Sequence, residues 1–151
     1  AVLENVYENE LYGYRVGYPA DHIVFSGLDG EQERALPPED DSEEVTVART
    51  DRMIYCCEPF TLPIRAVETD LTPAAWLEER IGDYVEETDL EWIHDVTVDG
   101  APAAEARGKS QLGSVYRVLA VQRGDGLIVL LQNADDPTLN AVVESFEFTT
   151  D

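Results

Sequence analysis

The chain has 151 residues, and its 32 acidic and 10 basic side chains give a formal net charge of −22 at pH 7. This charge argues against nucleic acids and anionic membranes as partners, because both would repel the protein. Hydrophobic residues form 44% of the sequence. That share excludes a disordered acidic chain and predicts one domain with a core over residues 1–151.

The acid excess predicts adaptation to high salt. Carboxylates at this density repel one another when the Debye length is about 8 Å, as at physiological salt, and much less at about 3 Å, as at 1 M. A GC-rich genome would explain the preference for arginine over lysine, of which Lys109 is the only example, but not the 32 acids. We therefore expect a halophilic source.

The N-terminal part of the sequence predicts short strands. Residues 7–11 can form a first strand, and a second follows in which Tyr14, Val16 and Tyr18 take alternate positions until Pro19. Further short strands are expected at residues 23–25, 45–47, 53–55 and 64–67, with breaks at Pro59 and Pro63. No apolar run reaches the roughly 18 residues that a membrane span requires.

Residues 29–44 differ from the rest in composition and predict a long acidic loop. Five carboxylates follow the Pro37–Pro38 pair, at Glu39, Asp40, Asp41, Glu43 and Glu44. Such oxygens could hold a hard cation such as Ca²⁺ weakly, but the spacing of a shaped calcium loop is absent. We expect a solvated loop, no discrete metal site and no cofactor.

Two helices are predicted from their start signals. Thr72 followed by Pro73 is typical of an N-cap and first helical position, and Asp136–Pro137 repeats the pattern. Apolar residues at helical spacing follow each start, at Leu77, Ile81, Tyr84 and Val85 in the first helix and at Leu139, Val142, Val143 and Phe146 in the second. The first helix should end near Thr88, and the second should lead into a terminal strand at residues 147–149.

The second half of the chain predicts two β-hairpins. Two turn signals, Asp99–Gly100 and residues 123–126 (Arg-Gly-Asp-Gly), each lie between strand-like runs. The runs are residues 92–98 and 104–107 for the first hairpin, and residues 114–122 and 127–132 for the second. Arg-Gly-Asp is also a cell-adhesion tripeptide, but turn chemistry explains it here. Successive hairpins indicate an antiparallel sheet.

Two motifs at the ends of the chain point to a known family. Residues 7–19 read Tyr-Glu-Asn-Glu-Leu-Tyr-Gly-Tyr-Arg-Val-Gly-Tyr-Pro, and the helix opened by Asp136 runs into Ser-Phe-Glu-Phe at residues 145–148. Together with the order of helices and hairpins between them, these motifs resemble the Mog1/PsbP-like family. The sequence departs from that pattern at Asp21–His22, where such proteins often carry a tryptophan.

The resemblance implies an α+β fold: an antiparallel sheet of about six to eight strands flanked by helices on both faces. It also implies a non-enzymatic binding or assembly module with a protein partner, exported or lipid-anchored. We expect a monomer at the cell surface or outside the cell, with any anchor segment removed. The alternative is a cytoplasmic protein of a salt-accumulating halophile.

The sequence contains few groups suited to catalysis. His22 and His94 are its only histidines, and we expect both on the surface. It lacks a Gly-x-Ser-x-Gly nucleophile motif and a phosphate-binding glycine loop. We expect no enzymatic activity. The alternatives are a cation-binding protein that uses its acidic loop, or a small hydrolase-type enzyme whose histidine and carboxylate meet in a cleft.

Five aromatic residues are candidates for ligand binding: Tyr12, Tyr14, Tyr18, Trp76 and Trp92. Aromatic residues at strand and helix positions are also typical of core packing. A ligand groove, if these residues form one, is expected between the first hairpin and the helix near Thr72.

Overall fold

The computed structural model describes residues 2–26, 44–49, 61–83, 90–108 and 115–149. Within these ranges the chain forms ten strands and two α-helices. In chain order they are β1 (Asn5–Asn9), β2 (Tyr14–Tyr18), β3 (His22–Ser26), β4 (Glu44–Arg49), β5 (Thr61–Glu68), α1 (Pro73–Arg80) with a following 3₁₀ turn (Ile81–Asp83), β6 (Leu90–Val98), β7 (Ala101–Gly108), β8 (Arg117–Arg123), β9 (Gly126–Gln132), α2 (Pro137–Glu144) and β10 (Glu147–Phe148).

The strands form two sheets, and every pairing between described strands is antiparallel. The large sheet has seven strands in the order β3-β4-β5-β9-β8-β7-β6, and the small sheet has three in the order β1-β2-β10. The antiparallel architecture was expected. The division into two sheets was not, because strand periodicity does not reveal which strands pair.

Alternate residues of the large sheet build two separate cores. On one face, Leu119, Ile128 and their neighbours pack with the small sheet and with buried residues of α2. On the other face, Val118, Val129 and their neighbours pack with Trp76 of α1. The sheet therefore has a helix on each face, and the predicted α+β fold class is confirmed.

Both helices begin where their sequence signals predicted. Thr72 Oγ1 accepts a hydrogen bond of 3.2 Å from the amide of Ala75, and Asp136 Oδ2 accepts one of 3.0 Å from the amide of Leu139. Each cap satisfies an amide that the first helical turn leaves without a partner. The first α-helix ends at Arg80 and continues as a 3₁₀ turn. Its expected extension through residues 84–88 lies outside the described ranges.

The two hairpin turns also follow the predicted signals. Asp99 and Gly100 connect β6 to β7 with φ angles of 49° and 80°, the left-handed pair that a two-residue turn of this kind requires. Gly124 and Asp125 connect β8 to β9, and Gly124 has a φ of 54°. Both turns fix the register of their strands and so determine which side chains face each other.

Two strand expectations need correction. The first strand covers residues 5–9 and not 7–11, because Asn9 ends it: the Asn9 carbonyl accepts from the Gly13 amide at 2.8 Å and closes a turn. Pro63 does not break its strand either. It lies inside β5 opposite Thr46 of β4, and the pairing of β5 with β9 begins one residue later, at Ile64. The Asn133 amide, just after β9, donates to the Thr61 carbonyl at 3.2 Å, so contacts on both sides of Pro63 hold the strand through it.

The expected strand at residues 53–55 lies outside the described residues, and so does the acidic loop apart from Glu44. In the part of the chain that the structure describes, neither helix is long and apolar enough to cross a membrane.

Candidate functional site

The five candidate aromatic residues do not converge on one site. Tyr14 is 1% exposed in the core, with its ring 5.5 Å from Phe146 and 6.2 Å from Tyr7. Trp76 belongs to α1 and is buried against the large sheet. Tyr18 is half-buried and packs against the core. These three positions stabilise the fold. Tyr12 is half-buried and also packs against the core, and Trp92 lies on a separate surface.

The Tyr14 hydroxyl is an unusual polar group for a core. It makes no hydrogen bond that meets normal geometry with any described residue. Burial is the main reason why the pKa of Tyr14 lies well above its ordinary value. Tyr7 raises the pKa further, while the neighbouring Asn9 opposes the shift. Tyr14 therefore stays protonated throughout the physiological range.

Tyr12 lies beside the β8–β9 hairpin. The guanidinium carbon of Arg123 lies 5.2 Å from the centre of the Tyr12 ring. Arg123 Nε donates to the Tyr12 carbonyl, and Nη2 donates to the Leu11 carbonyl at 2.9 Å. The arginine of the Arg-Gly-Asp tripeptide thus joins the two sheets, which supports its interpretation as turn chemistry.

A cleft of about 930 Å³ opens next to this contact. Among the described residues it is lined by Tyr12, residues 65–68 of β5 and residues 123–128 of the β8–β9 hairpin. A smaller cleft of about 290 Å³ shares residues 124–126 and reaches residues 69–71, just before α1. The larger cleft thus borders the first hairpin through Tyr12, and the smaller one reaches the residues before α1, so neither is lined by both elements.

The larger cleft carries charges of both signs. Arg65 and Arg123 line it together with Glu68 and Asp125. Arg65 Nη2 lies 3.5 Å from Glu44 Oε1, and its Nε is buried without a hydrogen-bond partner in the described ranges. Neither histidine lines either cleft.

A second surface lies around Trp92, where β6, β7 and the start of β8 meet. The Arg107 guanidinium carbon lies 5.2 Å from the centre of the Trp92 ring and 5.5 Å from that of Tyr116. The His94 ring meets the Trp92 ring edge to face, with centroids 4.5 Å apart. We call Trp92, His94, Arg107 and Tyr116 the aromatic–arginine patch.

Hydrogen bonds fix the arginine of this patch. Arg107 Nε donates to Glu105 Oε2 at 2.6 Å, and Nη1 donates to the Tyr116 hydroxyl at 3.0 Å. The bond to Glu105 is the main reason why the pKa of Arg107 lies above its ordinary value. Arg107 therefore carries its charge at every relevant pH, in one orientation.

Beneath the patch lies a buried polar network. Arg117 is 7% exposed, and it donates to Gln132 Oε1 from Nε at 2.9 Å and from Nη2 at 2.7 Å. Its Nη1 lies 3.8 Å from Glu105 Oε2, so one carboxylate serves two arginines. Burial lowers the pKa of Arg117. Gln132 Nε2 in turn donates to Asn140 Oδ1 of α2 at 2.6 Å, so the network reaches the helix.

The sequence singled out Trp92 as a ligand-binding candidate and His94 only for the alternative enzyme, and it did not bring the two together with Arg107 or Tyr116. The signal for Arg107 was present in the turn: strands that meet at Asp99–Gly100 pair residues whose numbers add up to a constant, so Trp92 faces Arg107 and His94 faces Glu105. Counting residues outward from the turn along both strands would have predicted that Trp92 faces Arg107. Tyr116 lies outside this hairpin, and nothing in the sequence connected it.

The expectation for the histidines was half right. His94 is exposed, but His22 is 5% exposed, and its expected surface position is wrong. His22 begins β3, where its amide donates to the Pro19 carbonyl at 3.1 Å and directs the chain into the sheet. His22 Nδ1 lies 2.8 Å from Asp21 Oδ1, and this hydrogen bond is the main reason why the pKa of Asp21 is lowered.

Of the five acids considered as cation ligands, the structure describes one. Glu39, Asp40, Asp41 and Glu43 lie outside the described residues, and Glu44 forms an ion pair with Arg65. Among the residues that are described, no three histidine, cysteine, aspartate or glutamate side chains are placed to hold a metal ion.

The fold is similar to a solved structure, the solution structure of cyanobacterial PsbP (CyanoP) from Synechocystis sp. PCC 6803. The TM-score is 0.55 at 17% sequence identity, and the match covers 98% of this chain and 94% of that one. At this identity the likeness shows the fold alone, which is PsbP-like. No model of a known protein family matches the sequence, and no curated protein matches it.

Proposed function

We propose that this chain is a non-catalytic binding or assembly module that docks a partner protein through the aromatic–arginine patch. The observation that carries the proposal is the position of Arg107, held between the rings of Trp92 and Tyr116. The PsbP-like fold supports it, because the resembled family consists mostly of non-enzymatic binding and assembly factors.

The composition of the patch is typical of binding hot spots. Tryptophan, tyrosine and arginine are the residues most enriched where protein interfaces gain their free energy. Here they lie together in a chain dominated by aspartate and glutamate. The patch contributes one guanidinium, that of Arg107, which forms an ion pair with Glu105.

The patch is also preorganised. Arg107 keeps its orientation through hydrogen bonds to Glu105 and Tyr116, and a bound partner need not freeze that long side chain. Side-chain ordering otherwise costs about 0.5–1.5 kcal/mol for each immobilised residue. The side chain of Arg107 is 34% exposed, which leaves room for contact with a carboxylate or a ring of the partner.

The test is to isolate partners from the producing cells with tagged wild-type chain and two variants, Trp92→Ala and Arg107→Gln. We expect a partner that the wild type retains and both variants lose. Arg80→Gln is the matched control, because Arg80 is an exposed arginine at the end of α1. Equal retention by all four proteins, each checked for native folding, would refute the proposal.

The proposed setting is an exported or lipid-anchored protein of a salt-adapted organism, present as a monomer. The resembled family includes many exported members, and the net charge of −22 would be screened best in strong salt. Fractionation of the producing cells tests the location. We expect the chain in the envelope or the medium, and recovery from the cytoplasm alone would contradict it.

A further inference from the structure

The first strand of the small sheet has one edge without a partner among the described strands. The sheet order is β1-β2-β10, so β1 is terminal. Val6 faces Gly17 across the pairing of β1 with β2. The Gly17 amide donates to Ser145 Oγ at 2.8 Å, on the side of β2 away from β1.

That hydrogen bond determines which groups of β1 face outward. In an antiparallel pair, opposite residues either exchange hydrogen bonds or both direct their backbone groups away from each other. Since Gly17 directs its amide away from β1, Val6 directs its amide and carbonyl away from β2. Glu8, two residues along, does the same. The free edge of β1 thus offers the backbone groups of Val6 and Glu8.

Residues 2–11, which contain β1, expose both apolar and acidic side chains. In the described ranges four large hydrophobic residues are markedly exposed, and three of them belong to residues 2–11: Val2 at 73%, Val6 at 61% and Leu11 at 55%. Glu4, Glu8 and Glu10 are exposed between and beside them. Charged side chains on an edge strand discourage pairing with strands of like charge. Here those charges are glutamates, of which Glu8 lies 4.0 Å from Arg15 Nη1.

We propose that the β1 edge binds an extended segment of a partner protein in which apolar and basic side chains alternate. The segment adds a fourth strand to the small sheet through the backbone of Val6 and Glu8. Its apolar side chains cover Val2 and Val6, and its lysines or arginines meet Glu4, Glu8 and Glu10. Main-chain hydrogen bonds supply affinity in this mode of recognition, and alternate side chains supply specificity.

Charge decides between this occupant and a second copy of the chain. Pairing β1 with another β1 would bring the same row of glutamates together, on two molecules that each carry a net charge of −22. Like charges that face each other across strands destabilise the pair. A basic segment reverses the sign of every such contact, and the field of the whole protein would draw it in.

The test uses a synthetic peptide, acetyl-Thr-Lys-Val-Lys-Val-Arg-Thr-amide, and an otherwise identical peptide with glutamate at the three basic positions. Titration followed by NMR should show saturable chemical-shift changes at residues 4–10 with the basic peptide and none with the acidic peptide. The amides of Val6 and Glu8 should exchange rapidly with solvent in the free protein and become protected in the complex.

Variants locate the binding site on the edge. Glu4→Lys combined with Glu10→Lys should weaken peptide binding about tenfold, through like-charge repulsion. Val6→Pro should abolish it, because proline removes an outward amide that β2 does not use. The control is Glu78→Lys combined with Glu79→Lys, which makes the same charge change on the exposed face of α1 and should leave the affinity nearly unchanged.

Four results would overturn the proposal. They are equal binding of both peptides, equal loss of affinity in the control, slow exchange of the Val6 amide in the free protein, and dimerisation of the wild type that Val6→Pro abolishes. If Val6→Pro fails to fold, the paired lysine variants still decide. Trp92→Ala should bind the peptide like the wild type, so this proposal and the docking role of the aromatic–arginine patch can fail independently.

Discussion

Trp92 and Arg107 face each other across the β6–β7 hairpin, with the guanidinium carbon 5.2 Å from the centre of the indole ring. A planar cation over an aromatic face is attracted by the negative charge of the ring centre. Tyr116 lies against the same guanidinium, at 5.5 Å. This contact therefore joins β6 and β7 to the residue before β8, and its contribution to stability can be tested by conservative substitution.

Arg107→Lys should lower the free energy of unfolding by about 1 kcal/mol, because lysine keeps the charge but loses the planar stack and the paired hydrogen bonds. Urea denaturation measures the change. Arg80→Lys is the matched control and should be neutral within about 0.5 kcal/mol. Equal stability of both variants would show that the stack contributes nothing.

Gly126→Ala should destabilise the fold by about 2 kcal/mol. A Cβ atom at this position would lie 2.5 Å from the carbonyl oxygen of Val67, a backbone atom that the β5–β9 pairing holds in place. Gly82→Ala is the control, since a Cβ there meets nothing within 4 Å. Thermal and urea unfolding of the two variants compare them, and a neutral Gly126→Ala would contradict the close approach of β5 to β9.

The Asp21–His22 pair should make stability depend on pH in the acid range. Because the pKa of Asp21 is lowered in the folded protein, its contribution is present above the unfolded pKa of about 3.9 and is lost as the pH falls through the folded value. The difference in unfolding free energy between wild type and Asp21→Asn should therefore favour the wild type at about pH 6 and disappear once the pH falls below the folded pKa of Asp21.

Asp125→Asn controls for the loss of one exposed carboxylate from a chain with excess negative charge. Asp125 lies in the β8–β9 turn and forms no ion pair with a described residue. The difference in unfolding free energy between wild type and Asp125→Asn should stay constant as the pH falls through the acid range. A constant difference between wild type and Asp21→Asn from pH 6 to pH 3 would contradict a role for the hydrogen bond from His22.

The melting temperature should rise steeply between low salt and molar KCl or NaCl. The cause is screening of repulsion among the carboxylates, whose range falls from about 30 Å at 0.01 M salt to about 3 Å at 1 M. Differential scanning calorimetry over that range measures the effect. A melting temperature that does not respond to salt would mean that the acid excess is not an adaptation to brine.

Local signals in the sequence predicted the elements whose chemistry is local. Thr72 and Asp136 cap their helices because each side chain satisfies an amide three residues away, and Asp99–Gly100 forms its turn because of its own backbone angles. The antiparallel sheet followed from the succession of hairpins, and the helices on both of its faces were implied by the resemblance to the Mog1/PsbP-like family. The caps and turns required only neighbouring residues.

The features that the sequence did not predict depend on distant residues. His22 is buried because β3 pairs with β4, and Pro63 lies inside β5 because contacts with β4 and with the residues of and after β9 hold the strand on both sides of it. The aromatic–arginine patch depends on contacts between β6, β7 and the residue before β8. Among the candidate aromatic residues, side-chain type alone could not separate core positions such as Tyr14 from surface positions such as Trp92.

Arg123, at the end of β8, also holds the first turn of the small sheet in place. Its guanidinium holds the carbonyls of Leu11 and Tyr12 in the turn directly after β1, while Ser145 holds Gly17 opposite Val6. Two anchors from separate parts of the chain thus keep the first strand in position before anything binds to it. A partner segment would bind to an edge strand that is already rigid. The conformational entropy lost on association would therefore be mainly that of the segment.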